Sequence, residues 1–289
     1  MLFLLYINDL NKALKYCNTI HFADDTSLLL KNKSLKKMKK YLNLDLRNLS
    51  NWLSSNKISL NASKTELLIF RHPKTYNLKV KLNGKLLRPS NYVKYLGMYI
   101  DSNLNWNFNT NVLASKLSRS IGMLSKIRHY VSAETLRSIY FAIFSSHLSY
   151  GSIIWAQNLS NHNVKRIMRL QNRAVRIINF ANYRDHADPI FKNLSILKII
   201  DNVELQNMLL AYDSLNYRLP SVLHNIYNFS QNIHNYKTRN SLMLKLSLPK
   251  VETTAYGLYS IEYKCIKVWN KLIDEFPSIK FQDIPRSKN

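Results

Sequence analysis

Hydrophobic and polar positions divide this chain into two textures. Over the first hundred residues the apolar runs are short and bounded by turn-forming residues. Residues 19–23 and 26–30 are two β-prone runs separated by Asp24 and Asp25, which predicts a hairpin with an acidic turn. In residues 36–56, Met38, Tyr41, Leu42, Leu46, Leu49, Trp52 and Leu53 recur mostly every three or four positions, the period of an amphipathic helix. Residues 65–70 and 78–82 are strand-like, Asn83-Gly84 signals a two-residue turn, and residues 92–101 predict a further strand or tight hairpin around Gly97. From about residue 107 the period becomes helical, with helices expected over 110–130, 133–157, 162–180 and 201–215. A mixed tail follows: 232–241 is polar and basic, and 259–276 is helical around Trp269, whose spacing with Ile266, Leu272 and Ile273 assigns it to a core.

With 289 residues, 46% of them hydrophobic, the chain can bury a substantial core. Its 42 Lys and Arg against 17 Asp and Glu give a formal charge of +25, which points toward an anionic polymer or surface. The abundance of Asn, Lys, Ile and Tyr is also what AT-rich coding DNA produces, so the distribution of charge has to decide. Between Asp101 and Asp185 the only acid is Glu134, against eleven Lys and Arg, most of them Arg. In 162–180, Arg166, Arg169, Arg173 and Arg176 recur at three, four and three, while Ile167, Leu170, Ala174, Ile177 and Ile178 form another face. Guanidinium groups suit bidentate phosphate contact, and a stripe without local acids is suited to follow a phosphate backbone. Lys116, Arg119, Lys126, Arg128 and Lys165 extend the same candidate surface. The competing reading is a solvated helix face.

Cys17 and Cys265 exclude a disulfide framework or a four-cysteine zinc site, and imply a reducing intracellular setting. The apolar opening lacks a preceding basic stretch and ends at Asn8, which predicts neither a signal peptide nor a membrane span. Adjacent carboxylates on a tight turn repel one another unless a divalent cation binds them, so Asp24 and Asp25 are candidate magnesium ligands. A solvated loop is the alternative reading of that pair taken alone.

The order of blocks adds to this. Met1-Leu-Phe-Leu-Leu-Tyr-Ile-Asn-Asp-Leu10, Phe22-Ala-Asp-Asp-Thr26, Trp52-Leu-Ser-Ser-Asn-Lys-Ile-Ser-Leu-Asn-Ala-Ser-Lys-Thr-Glu66 and Tyr95-Leu-Gly-Met-Tyr-Ile-Asp101 follow one another as in the reverse transcriptases of non-LTR, Jockey-like retrotransposons. Leu170-Gln-Asn-Arg-Ala-Val-Arg176, Tyr236-Lys-Thr-Arg239 and Val268-Trp-Asn270 also resemble that family.

The resemblance implies an α+β fold. Part of a right-hand polymerase palm, an antiparallel sheet with helices, would occupy 1–106. A basic, all-helical thumb would follow over 107–217, and a mixed, mostly helical C-terminal region over 218–289. It further implies RNA-directed DNA polymerase activity by two-metal nucleotidyl transfer, with two Mg2+ ions in the complete enzyme and an RNA template and DNA primer as partners. Asp24 would be a metal ligand and Asp25 a more peripheral one; Lys64 would protonate the leaving pyrophosphate. Tyr95, Leu96 and Gly97 would approach the primer end. The family's further metal-binding aspartate lies upstream of the matched blocks, where this sequence has only Asp9. The expectation is therefore a truncated or decayed reading frame, inactive alone, found in nucleus and cytoplasm as a ribonucleoprotein if expressed. The alternatives are a non-catalytic nucleic-acid-binding helical protein or a retroelement relic.

Overall fold

The computed structural model describes residues 2–61, 63–70, 79–224, 226–230, 244–253 and 257–276. It is an α+β structure that divides into two compact units, Met1–Leu104 and Asn105–Asn289. The basic segment 232–241, with Lys237 and Arg239, lies outside the described residues.

The first unit opens with the short helices α1 (Leu2–Tyr6) and α2 (Leu10–Ala13), the latter preceded by Asp9, whose side chain makes no capping bond. Strands β1 (Asn18–Phe22) and β2 (Asp25–Leu29) form the expected hairpin. Helix α3 (Leu35–Ser55) matches the predicted amphipathic segment and lays Leu46 and Leu49 on a core shared with Leu10, Val80, Leu82 and Leu87. Strands β4 (Val80–Leu82) and β5 (Lys85–Leu87) close through Asn83-Gly84, with φ of +48° and +76°. Both central residues then lie in the left-handed region, which is the turn that an Asn-Gly pair favours. Strands β7 (Tyr92–Tyr95) and β8 (Met98–Asp101) close in the same way through Leu96 and Gly97.

A single antiparallel sheet does not form among the described residues. The strands make four separate pairs, and one of them, β3 (Leu67–Leu68) with β6 (Pro89–Ser90), is parallel. The ladders are short, two to five residues per strand, and three of them are closed hairpins whose turns fix only their own partner. The strand expected over 65–70 is reduced to Leu67–Leu68.

The second unit is helical through residue 216. Helix α4 (Asn107–Ile127) packs on α8 (Asn161–Ile178), with Leu113, Leu117, Ile121 and Leu124 facing Ile167, Ala174, Val175 and Ile178 across a dry core. The helix expected over 133–157 is broken in several places. After α5 (Ala133–Tyr140) comes a wide π turn at Phe141–Ser145, then α6 (Ser146–Ser149) and α7 (Ser152–Trp155), separated at Gly151 with φ +60°. The π turn coincides with a contact from a neighbouring helix: the Ser120 hydroxyl on α4 donates to the Ile143 carbonyl at 2.8 Å, drawing that carbonyl toward α4. A short α9 (Ala187–Asn193) precedes α10 (Ile199–Leu215), and α11 (Ile261–Glu275) packs against α10 around the fully buried Trp269. Among the described residues, no helix is long and apolar enough to cross a membrane.

Candidate functional site

The acidic hairpin is held at its base and open at its tip. Asn11 on α2 accepts hydrogen bonds from the Thr19 hydroxyl and from the His21 ring, whose Nε2 lies 2.9 Å away. On the other side, the fully buried Asp45 of α3 accepts three backbone hydrogen bonds, from Lys15 N at 3.1 Å and from Tyr16 N and Cys17 N at 2.7 Å. The carboxylate lies in a row of amides that lead directly into β1. Burial and this neighbouring carboxylate push the Cys17 thiol up to about 12. Tyr16 then stacks on Tyr41 of α3 with ring centres 4.1 Å apart. Sequence reasoning missed Asp45, because one acidic residue within an amphipathic helix carries no mark of burial.

Phe22 pairs with Asp25, so the turn itself is Ala23-Asp24. Ala23 has φ +52°, a conformation that costs a non-glycine residue about 1 kcal/mol. Asp24 and Asp25 are both exposed, and among the described residues no hydrogen bond or ion pair engages either carboxylate. Successive side chains at a strand end diverge, so the two carboxylates are not equivalent: Asp25 belongs to the ladder and Asp24 to the turn. The hairpin also presents Ile20 and Phe22, 47% and 59% exposed, to solvent. Lys64 is exposed in the turn before β3, its amide bonded to the Asn61 carbonyl. Tyr95 and Leu96 are half-buried and Gly97 exposed at the tip of β7–β8.

Magnesium is usually bound by one or two carboxylates together with waters and substrate phosphates. Asp24 and Asp25 fit that role as a partial donor set. No group of three or more His, Cys, Asp and Glu able to hold a metal is assembled among the described residues.

In the second unit, α8 turns its arginines away from the α4 core. Arg169 and Arg173 are exposed, with no hydrogen-bonding or ionic partner among the described residues; Arg166 donates through Nη1 to Asn111 Oδ1 at 2.6 Å, and Arg176 donates through Nε to the Asp185 carbonyl at 2.7 Å. Among the described residues none of the four meets a carboxylate in an ion pair. With Asn172 and Tyr183 they line an open concavity of about 390 Å³. Lys116 is half-buried on α4, while Arg119, Lys126 and Lys165 are exposed. Arg128, at the end of α4, instead stacks its guanidinium on Phe180 at 5.2 Å and has its Nε buried without a partner. Leu170, assigned by spacing to the packing face, is only half-buried and lines the concavity. Its neighbour Gln171 is buried in its place, bonded to Tyr140, to the Leu197 carbonyl and to Ile199 N.

Comparison with known proteins gives this geometry a context. Residues 1–100 match the family profile described as reverse transcriptase (RNA-dependent DNA polymerase). The chain is 28% identical over 195 residues to the RNA-directed DNA polymerase from mobile element jockey of Drosophila melanogaster, covering 66% of this chain and 21% of that protein. The chain is related to the reverse transcriptases of non-LTR retrotransposons. A probable RNA-directed DNA polymerase from transposon X-element of the same fly is 23% identical over 157 residues, with 53% of this chain and 17% of that one covered. The type-1 retrotransposable element R1 4 polyprotein of Nasonia vitripennis is 25% identical over 155 residues, 46% and 40% of the two chains. The chain thus spans about a fifth of the length of the fly polymerases it matches. No solved structure matches it.

Proposed function

We propose that this chain supplies the later part of the palm and the thumb of an RNA-directed DNA polymerase acting on an RNA template and a DNA primer. One observation carries the reading. Within the span that matches the reverse transcriptase family, two adjacent aspartates sit at the tip of a rigidly based hairpin, exposed and committed to no internal partner. Asp24 is then the principal ligand of a catalytic metal pair and Asp25 a secondary one. Magnesium at such a site lowers the cost of charge developing on the attacking and leaving oxygens. Lys64 is assigned the proton for the leaving pyrophosphate. The Tyr95–Gly97 turn, with Gly97 at φ +81°, offers backbone to the primer end. Lys116, Arg119, Lys126, Lys165 and the four α8 arginines hold the phosphates of the template and primer. Two carboxylates do not complete a two-metal site, so a further aspartate belongs to the working enzyme. A ribonucleoprotein of nucleus and cytoplasm is the setting that this reading implies.

The test is primer extension on an RNA template with magnesium, using this chain joined to the upstream polymerase half of a relative. Extension is expected to vanish in Asp24→Ala and to fall less in Asp25→Ala. Full activity in Asp24→Ala would sink the assignment. A second reading, nucleic-acid binding without catalysis, is favoured by the arginine concavity. It predicts tight, salt-dependent binding with no extension by any form.

A further inference from the structure

The α8 concavity has features that phosphate binding alone does not require. Its two end arginines are fixed by neutral groups, Arg166 by the Asn111 amide and Arg176 by the Asp185 carbonyl, and the two between them project freely into solvent. Ten residues of helix separate Arg166 from Arg176, about 15 Å, a span that takes more than one consecutive phosphate of a strand. At one end stands Tyr183, with 82% of its surface exposed. The connection that carries it is not slack. Asp185 accepts from Asn182 N at 2.6 Å through its carboxylate and from Arg176 through its carbonyl, so the turn bearing the ring is tied to α8.

Tyr183 decides between strand and duplex. In a duplex the base faces are already stacked on one another, so the exposed ring would find no partner; an unpaired base offers its face.

We propose that this groove binds single-stranded nucleic acid, with consecutive phosphates on Arg166 to Arg176 and a base stacked on Tyr183. The assignment deepens the nucleic-acid reading of the helical unit and is independent of the aspartate hairpin. Stacking is common to RNA and DNA, so both kinds of strand are expected to bind alike.

The experiment is fluorescence anisotropy of the full chain with a short labelled RNA strand, the matching DNA strand and the blunt duplex. Tyr183→Ala is expected to weaken both single strands roughly tenfold, the loss of one stacked base, and to leave the duplex unchanged. Tyr183→Phe restores binding. Arg169→Glu with Arg173→Glu flattens the salt dependence of every ligand by about one to two units of slope. Circular dichroism of Tyr183→Ala should match wild type, because the ring is exposed. Equal losses on strand and duplex, no loss on either, or a loss confined to one sugar would overturn the proposal. If the duplex still binds and Tyr183→Ala is neutral, only this inference falls. If no form binds any nucleic acid, the nucleic-acid reading of the whole chain falls with it.

Discussion

Replacing Asp45 by alanine should loosen the acidic hairpin without touching it. The carboxylate is fully buried and is the acceptor for three consecutive amides, Lys15, Tyr16 and Cys17. The Cys17 bond is buried, and leaving such a donor unpaired costs about 2 kcal/mol. The Lys15 and Tyr16 bonds are only partly buried, so water can replace the lost acceptor and each contributes about 0.5–1 kcal/mol. Alanine regains about 0.5 kcal/mol as the better helix former within α3. The net is about 3 kcal/mol, a shift of roughly a hundredfold in the opening equilibrium around β1. Hydrogen exchange with mass spectrometry on the full chain reads this directly: peptides covering residues 15–29 should exchange faster, and peptides from α8 should not. Asp45→Asn keeps one oxygen and should show about half the effect. Unchanged exchange over 15–29, or an equal rise in α8, would refute the view that this carboxylate organises the start of β1.

Two further outcomes test the cores. Burial, with the Asp45 carboxylate, raises the Cys17 thiol to about 12, and burial raises Cys265 to about 11. The folded state therefore holds both protons more tightly than the unfolded chain, where a thiol ionises near about 8.5. Their contribution to stability is complete below that pH and is lost as pH rises through about 11 and about 12. Urea midpoints should fall on that limb, and less steeply in a Cys17→Ala, Cys265→Ala variant; rapid maleimide labelling of native Cys17 at neutral pH would contradict its burial. Trp269 is fully buried and donates its indole N–H to the Leu244 carbonyl at 2.8 Å. Trp269→Ala should cost about 4 kcal/mol in chemical denaturation, and a loss below about 1 kcal/mol would remove it from the core.

Much of this arrangement was legible where local chemistry dictates local geometry. Asn83-Gly84 and the Gly97 turn each demand left-handed backbone, and each closes the hairpin expected of it. The apolar period of α3 was strong enough to place its ends within a residue or so. The misses have non-local causes. Nothing within 133–157 announces that a serine on α4 will take the Ile143 carbonyl and widen the helix there. Helix α9 is short, seven residues, and three of them are buried by packing that no period reveals. How strands from different hairpins associate depends on long-range pairing, and here three pairs closed between sequence neighbours while β3 paired with β6 across the β4–β5 hairpin. The arginine stripe was visible as spacing. The concavity it frames was not, because Tyr183 joins it from beyond the helix.

The manner in which Arg166 and Arg176 are tethered has its own consequence. An aspartate in place of Asn111, or at the position of the Asp185 carbonyl, would have steadied the same side chains equally well while cancelling their field. An amide and a peptide oxygen steady them and leave the full positive charge facing outward. An arriving anionic strand therefore has no resident counterion to evict and meets guanidinium planes already oriented. Only the mobile salt of the surrounding solution competes for that place.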